Sequence, residues 1–379
     1  MLMPRWISGL VAAMLGVLSP LAAAALTGYS YQYTSGKYSY ATALNDLGHY
    51  AVNNRDTTVP YQIGTILKGT TYEDVGTLGG FESEIRGLNN KDEAVGQSTT
   101  SSNLGHAFLY SGGRMQDLTT AHGIGVAVAI NDRGDVGGQS GDDNSRALLL
   151  RNGSVDIFGP PSSSVADING KGDAVGKYIA PGQGDRAFVY SDGKRTDLPS
   201  FGGSGTYGTG INDAGSVSGF GVTGEGRVHA WLYHGKAMSD LTPSATDGRA
   251  YDINNLDEVV GTVGNRAFLY ADGEMIDLNT LIDPHADLLL TSAFDINDHE
   301  QILADSCDRT GVFCYGTVLL SPVPAVAEPP IGLMLVAALG LMGACRMGYR
   351  LRPCEYWVRA WCVPCRRPPA RARCGRPPR

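Results

Sequence analysis

One asparagine recurs through this chain with a period that few folds can accommodate. An aliphatic residue, then Asn, then an Asx or Gly and a polar turn appears at Leu44-Asn45-Asp46, Leu88-Asn89-Asn90, Ile130-Asn131-Asp132, Ile168-Asn169-Gly170, Ile211-Asn212-Asp213, Ile253-Asn254-Asn255 and Ile296-Asn297-Asp298. The asparagines are 44, 42, 38, 43, 42 and 43 residues apart, a mean of 42. A fixed period of this length marks tandem units that cannot bury their apolar faces alone and must stack on one another. No stretch of the repeating body sustains a helical period, so helical repeats are excluded.

The second landmark lies in the other half of each period. His106-Ala107-Phe108-Leu109-Tyr110 is echoed from Arg146, Arg186, His229 and Arg266. Each copy is apolar on both alternating faces, which requires cover on both sides of the strand. Pairs such as Asn152-Gly153, Asp192-Gly193 and Asp272-Gly273 follow, and Asn-Gly or Asp-Gly between apolar runs specifies a two-residue hairpin. The sixth repeat then reads as four strands, A to D: Ala250 to Ile253, Glu258 to Thr262, Ala267 to Tyr270 and Glu274 to Leu278. Four-stranded antiparallel units buried on both faces and repeated about every 42 residues predict an all-β, seven-bladed β-propeller over residues 26–320. The seventh repeat lacks a D strand, and Tyr29 to Tyr33 supplies a spare, so the N-terminal strand is expected to close the ring by completing the last blade.

The Ile-Asn-Asp-x-Gly-x-Val-x-Gly stretch from Ile211, with His106 to Tyr110 and Asp74-Val75-Gly76-Thr77-Leu78-Gly79-Gly80, resembles the bacterial extracellular HAF repeat family over roughly residues 29–320. The resemblance implies a secreted, β-propeller-like protein and carries no activity and no catalytic residues.

The two ends read as targeting segments. Arg5, the apolar run from Ile7 and Ala22 to Ala25 form a secretory signal peptide over residues 1–25. At the other end come a proline-rich linker (321–330), an apolar segment (331–345) and an Arg/Cys/Pro-rich tail (346–379) expected to be disordered. Val326-Ala327-Glu328-Pro329, the apolar segment and Arg346 resemble a PEP-CTERM sorting signal, with Ala327 where the family carries proline. That resemblance implies an exosortase-like processing enzyme as partner and an association with exopolysaccharide and biofilm. A plain single-pass anchor is the other reading, and either one places the segment in the membrane.

Charge and cysteines follow the same division. The tail from Arg346 holds ten arginines and one acid, and without it and Arg5 the rest carries nineteen basic against thirty-seven acidic residues, near −18. Nucleic acid is excluded as a partner of that body. Cys307 and Cys314 flank a Thr310-Gly311 turn, where a cross-strand disulfide or two buried thiols would fit. Gly203 to Gly208 matches a dinucleotide-type glycine pattern but enters a strand, and Asn131 to Asp135 lacks the distal glutamate of a calcium loop. Neither a cofactor, a metal site nor a catalytic constellation is assigned.

Binding is expected where the repeat is least regular. The A–B and C–D turns are short and uniform, whereas the B–C and D–A loops at the opposite end vary, and variable loops on a rigid scaffold are where recognition resides. Asp142, Asp143, Asp185, Tyr207 and Glu225 on those loops are the candidate ligand-binding residues. The expected function is a binding or extracellular-matrix module, exported across the inner membrane to the cell surface, with extracellular polysaccharide or a surface protein as partner. A carbohydrate-active enzyme with acids on the variable face or in the axial channel is the alternative.

Overall fold

A computed structural model describes residues 26–34, 39–54, 61–245, 247–311 and 314–324. The expected signal peptide, the sorting residues Val326, Glu328, Pro329 and Arg346, the apolar segment and the tail lie outside the described residues. Among the described residues, no helix is long and apolar enough to cross a membrane.

The described strands form five four-stranded antiparallel sheets and one of eight strands. The eight-stranded sheet consists of two four-stranded halves, residues 163–197 and 202–240, joined through a single parallel bridge between Asp185 and Gly205. In the sixth repeat the strands are Gly248–Ile253, Val259–Val263, Arg266–Ala271 and Glu274–Asp277, each within two residues of its expected bounds. The hairpin pairs take left-handed φ as the turn type demands, 49° and 76° at Asn152-Gly153 and 52° and 83° at Asp272-Gly273. One short helix, Leu118–His122, and one 3-10 turn, Leu278–Thr280, are additions the periodicity did not announce; Asp117 and Asp277 cap them.

The recurring asparagine does more than form its turn. Asn212 Oδ1 accepts from the backbone N–H groups of Ala214 and Ser216, both at 3.0 Å, which shapes the A–B turn from within. Its Nδ2 then reaches the next repeat and donates to the Asn254 carbonyl at 3.0 Å. The same link runs from Asn45 to Asn89, Asn89 to Asn131, Asn131 to Asn169, Asn169 to Asn212, Asn254 to Asn297 and Asn297 back to Asn45, at 2.9–3.2 Å. These seven side chains are 3–5% exposed, with both ends of the amide satisfied.

Packing repeats the circuit. Each hydrophobic cluster draws on two successive repeats: Ile66 with Ile85 and Phe108, Leu118 with Ile124 and Leu148, Leu149 with Phe188, Val175 with Trp231, and Leu232 with Phe268. Leu269 packs with Leu290, and Leu303 and Leu319 of the last repeat pack with Leu44 and Leu67 of the first. Phe108 and Ala107 enter different clusters, which is why the motif is apolar on both faces. The glycine of the Val-x-Gly stretch also has a steric cause. Strand A carries a bulge near its end, as between Ala127 and Ala129, and a methyl group on Gly138 would overlap the Val126 carbonyl oxygen. The seven-residue offset from the asparagine falls on Val52 in the first repeat and Ala304 in the last, so the rule relaxes on either side of the closure.

Closure itself uses the N-terminal strand. Leu26–Tyr33 pairs antiparallel with Cys314–Pro324, which pairs with Ile302–Cys307 and through it with Leu289–Ile296. The paired region runs to Pro324, past the Leu320 boundary read from the sequence, because Ser321 to Pro324 face Leu26 to Ser30. Cys307 and Cys314 are register partners and their Sγ atoms are bonded at 1.99 Å, clasping the hairpin whose turn carries Gly311 at φ 70°.

Two outcomes are expected. Asn212→Ala leaves the Ala214 and Ser216 N–H groups and the Asn254 carbonyl without their partner, and should cost about 2–4 kcal/mol in chemical denaturation, whereas Asn255→Ala, at an exposed turn position of the following repeat, should cost under about 1 kcal/mol. Deleting residues 26–33 should expose the edge of Cys314–Pro324 and convert a cooperative melt into aggregation.

Candidate functional site

The first strands of all seven repeats line one central cavity of about 430 Å³. Two levels of side chains face it. At its rim stand the residues that follow each asparagine: Asp46, Asn90, Asp132, Gly170, Asp213, Asn255 and Asp298. Most are tied sideways, with Asp46 N–H donating to Asn90 Oδ1 at 2.7 Å, Asp213 N–H to Asn255 Oδ1 at 2.8 Å and Asp298 N–H to Asp46 Oδ1 at 2.9 Å. The circuit breaks at Gly170, which offers no side chain, although its own N–H donates to Asp213 Oδ1 at 2.8 Å.

Deeper in the cavity, two residues before each asparagine, four repeats have Ala43, Gly87, Ala129 and Gly210, and three have Asp167, Asp252 and Asp295. Each aspartate accepts a backbone hydrogen bond from the following repeat at 2.9 Å: Asp167 from Ile211, Asp252 from Ile296 and Asp295 from Leu44. The small residues make room for this, since a methyl group on Gly210 would stand 2.7 Å from Asp252 Oδ1.

Protein crowds these carboxylates on every side, although each keeps part of its surface on the cavity. Burial, with the Asp252 charge added, pushes Asp167 up to about 7. Asp295 is pushed up to about 7, chiefly by burial. Burial and the neighbouring Asp295 raise Asp252 well above the usual carboxylate range. Asp252 and Asp295 interact directly, so a retained proton belongs to the two together. The arrangement is two close carboxyl groups, both raised, open to a cavity. Among the described residues no three His, Cys, Asp or Glu side chains are placed to hold a metal ion.

The residues expected from the loops lie elsewhere and do not converge on one point. Asp142 accepts from Ser140 Oγ at 2.7 Å and from the Asn144 N–H at 3.2 Å, building its own loop, and Asp143 beside it is exposed. Glu225 stands 3.6 Å from Arg227 on another loop. Only Asp185 and Tyr207 meet: the Tyr207 hydroxyl donates to Asp185 Oδ2 at 2.9 Å, and Lys177 Nζ is 3.1 Å from Asp185 Oδ1. The Tyr207 ring stacks on Phe220 at 4.8 Å, with Lys177 over one ring and Arg249 over the other. His106 and His229 hold the aspartate that ends strand D, Asp117 at 2.8 Å and Asp240 at 2.7 Å, as Arg266 holds Asp277 at 2.8 Å. The sequence signal for the axial trio was an aspartate at an offset where other repeats carry glycine or alanine.

No family model matches the chain, and no curated protein matches it. Among solved structures it is similar to an acylaminoacyl peptidase from Pyrococcus horikoshii, with TM-score 0.53 and 11% identity over 80% of this chain and 55% of that one. It is also similar to YCF48 bound to D1 peptide, with TM-score 0.49 and 10% identity over 78% and 97% of the two chains. A third is the Aleuria aurantia lectin in complex with Fucα1-6GlcNAc, with TM-score 0.35 and 12% identity over 78% and 99%. The structural neighbours are β-propeller proteins of varied function. The likeness to the peptidase speaks to fold alone, and the chain spans about half of that protein's length.

The axial carboxylates have a pH signature. Their folded pKa values are raised, so the folded state binds protons more tightly, and their contribution to stability is complete below about pH 4 and lost as pH climbs toward 7. Asp252→Asn supplies a permanent donor to Asp295 in place of the proton. Thermal melts at pH 4 to 8 should show the variant gaining stability at pH 8, on the order of 1–3 kcal/mol, with a flatter slope across this interval.

Proposed function

We propose that this chain is a secreted, seven-bladed β-propeller of HAF-repeat type that acts at the cell surface as a binding or matrix module, taking extracellular polysaccharide on its loop end. The asparagine circuit and the hydrophobic clusters, each shared by two neighbouring repeats, support the blade count. One observation carries the binding role: the two ends of the repeats spend their polar groups differently. At the turn end, nearly every Asx side chain is engaged by a neighbouring repeat. At the loop end, Asp143 and the aromatic rings of Tyr61 and Phe81 are presented to solvent, and Glu225 is exposed beside Arg227. A surface of exposed polar and aromatic groups on a rigid scaffold suits recognition of a polyhydroxylated polymer.

In this reading Asp142, Asp143, Asp185, Tyr207 and Glu225 contribute to the loop-end surface. Residues 1–25 direct export across the inner membrane. The sorting-like set Val326, Glu328, Pro329 and Arg346 is read by an exosortase-like enzyme that releases the protein from a transient anchor. Mass spectrometry of the surface form from the native host should then find nothing beyond about Glu328 or Pro329, and an intact Arg379 overturns the processing step.

The Asp252–Asp295 pair does not favour the carbohydrate-active alternative, because two carboxyl groups in direct contact leave no room between them for the bond that glycoside hydrolysis places there, at carboxyl separations of about 5–10 Å.

Retention on immobilised polysaccharide separates the two ends of the molecule. Alanine at Asp143 and Glu225 should weaken retention about tenfold with the melting temperature unchanged, whereas alanine at Asp142, Asp185 or Tyr207 should weaken it and also lower the melting temperature, since these three hold their own loops. Gly134→Ala and Gly215→Ala, at φ 82° and 81°, should lower stability by about 1 kcal/mol and leave retention by the folded fraction intact. The opposite pattern would move the site to the turn end.

A further inference from the structure

The loop end holds one cleft, between the first two repeats, that no residue expected from the sequence lines. The segment entering the third strand of the first repeat lies alongside the start of the second repeat: Gln62 N–H donates to the Phe81 carbonyl at 3.0 Å, and Ser83 N–H donates to the Gln62 carbonyl at 2.8 Å. This parallel bridge sets Gln62 beside Glu82, and Gln97 faces the same cleft of about 270 Å³. Among the described residues, the side chains of Gln62, Glu82 and Gln97 have no hydrogen-bonding or ionic partner.

The residues immediately before Gln62 and Glu82 are aromatic. Tyr61 is 53% and Phe81 57% exposed, and their rings lie 5.8 Å apart at 33° to one another. At the equivalent bridges, Asp185 to Gly205 between the fourth and fifth repeats and Val228 to Asp247 between the fifth and sixth, the preceding residues in the sequence are Gly184 with Ser204 and Arg227 with Thr246. The combination at the first junction is local and is not imposed by the repeat.

Two amides and a carboxylate can each engage a pair of neighbouring hydroxyl groups, and exposed ring faces accept the C–H face of a sugar ring. Glu82 and the strongly acidic body disfavour an anionic chain. We propose that this cleft, with Gln62, Glu82 and Gln97 as its polar wall and the exposed Tyr61–Phe81 pair beside it, binds a pyranose unit of a neutral polysaccharide. The proposal rests on the reading of the loop end as a polysaccharide-binding surface and gives that surface a defined site.

Affinity electrophoresis of the full-length chain through gels containing dextran, laminarin or galactomannan, and through polygalacturonate as the anionic control, tests it. Retardation is expected in at least one neutral gel. Tyr61→Ala, Phe81→Ala, Gln62→Ala and Glu82→Ala should each weaken it about tenfold, with melting temperatures within about 2 °C of the wild type because the altered side chains stand outside the core. Undiminished retardation in all four variants overturns the cleft and leaves the polysaccharide-binding reading standing. No retardation of the wild type in any neutral gel overturns both, and retardation by polygalacturonate alone overturns the choice of a neutral chain.

Discussion

Everything in this structure depends on a buried amide that faces two ways. Within its own repeat the asparagine Oδ1 gathers two turn N–H groups, and across the boundary its Nδ2 takes the carbonyl of the next asparagine, so one side chain fixes both the local turn and the neighbour's position. Neither glutamine nor aspartate could substitute. Glutamine is a methylene too long for the turn, and aspartate has no donor for the carbonyl. A side chain with both duties recurs because every junction needs both at the same depth.

The axial carboxylates reinforce that junction at three places and introduce a cost with it. Each gains a backbone N–H from the following repeat, but three acids around one cavity repel when charged, and burial with that repulsion raises their affinity for protons. Glycine and alanine at the intervening offsets keep the cavity open and leave space for the acids, as Gly210 does for Asp252. The centre of the molecule is therefore a compromise between ties from repeat to repeat and electrostatic strain that proton binding relieves.

The periodic part of the fold was legible because its causes are local. Asn-Gly and Asp-Gly hairpins, the alternating two-faced strand from Ala267 and the spare strand at Tyr29 each announce themselves within a few residues. The reach of Asn212 to Asn254 was hidden because a turn-forming asparagine and a bridging one are written with the same letter. The axial trio was legible only as a departure from the repeat, since nothing in one copy says that its second residue before the asparagine will meet two others. The loop residues stand out in the sequence as acids and an aromatic on variable loops, but nothing in the sequence shows that the Asp142 carboxylate also holds Ser140 and Asn144. Gln62 and Glu82 were missed because they become neighbours only through a bridge between successive repeats.

The antiparallel pairing of the N-terminal strand has a mechanical consequence. Leu26 lies opposite Pro324 and Tyr33 opposite Val318, so the chain enters and leaves the closing sheet at the same point. A load applied between those two ends would fall on one pair of hydrogen bonds at a time and peel the strand away. A load between the C-terminal end and the loop face would instead run along Cys314–Pro324, flanked on both sides, where many bonds resist in parallel. The same sheet is thus a weak seam toward one direction of pull and a strong tether toward the other.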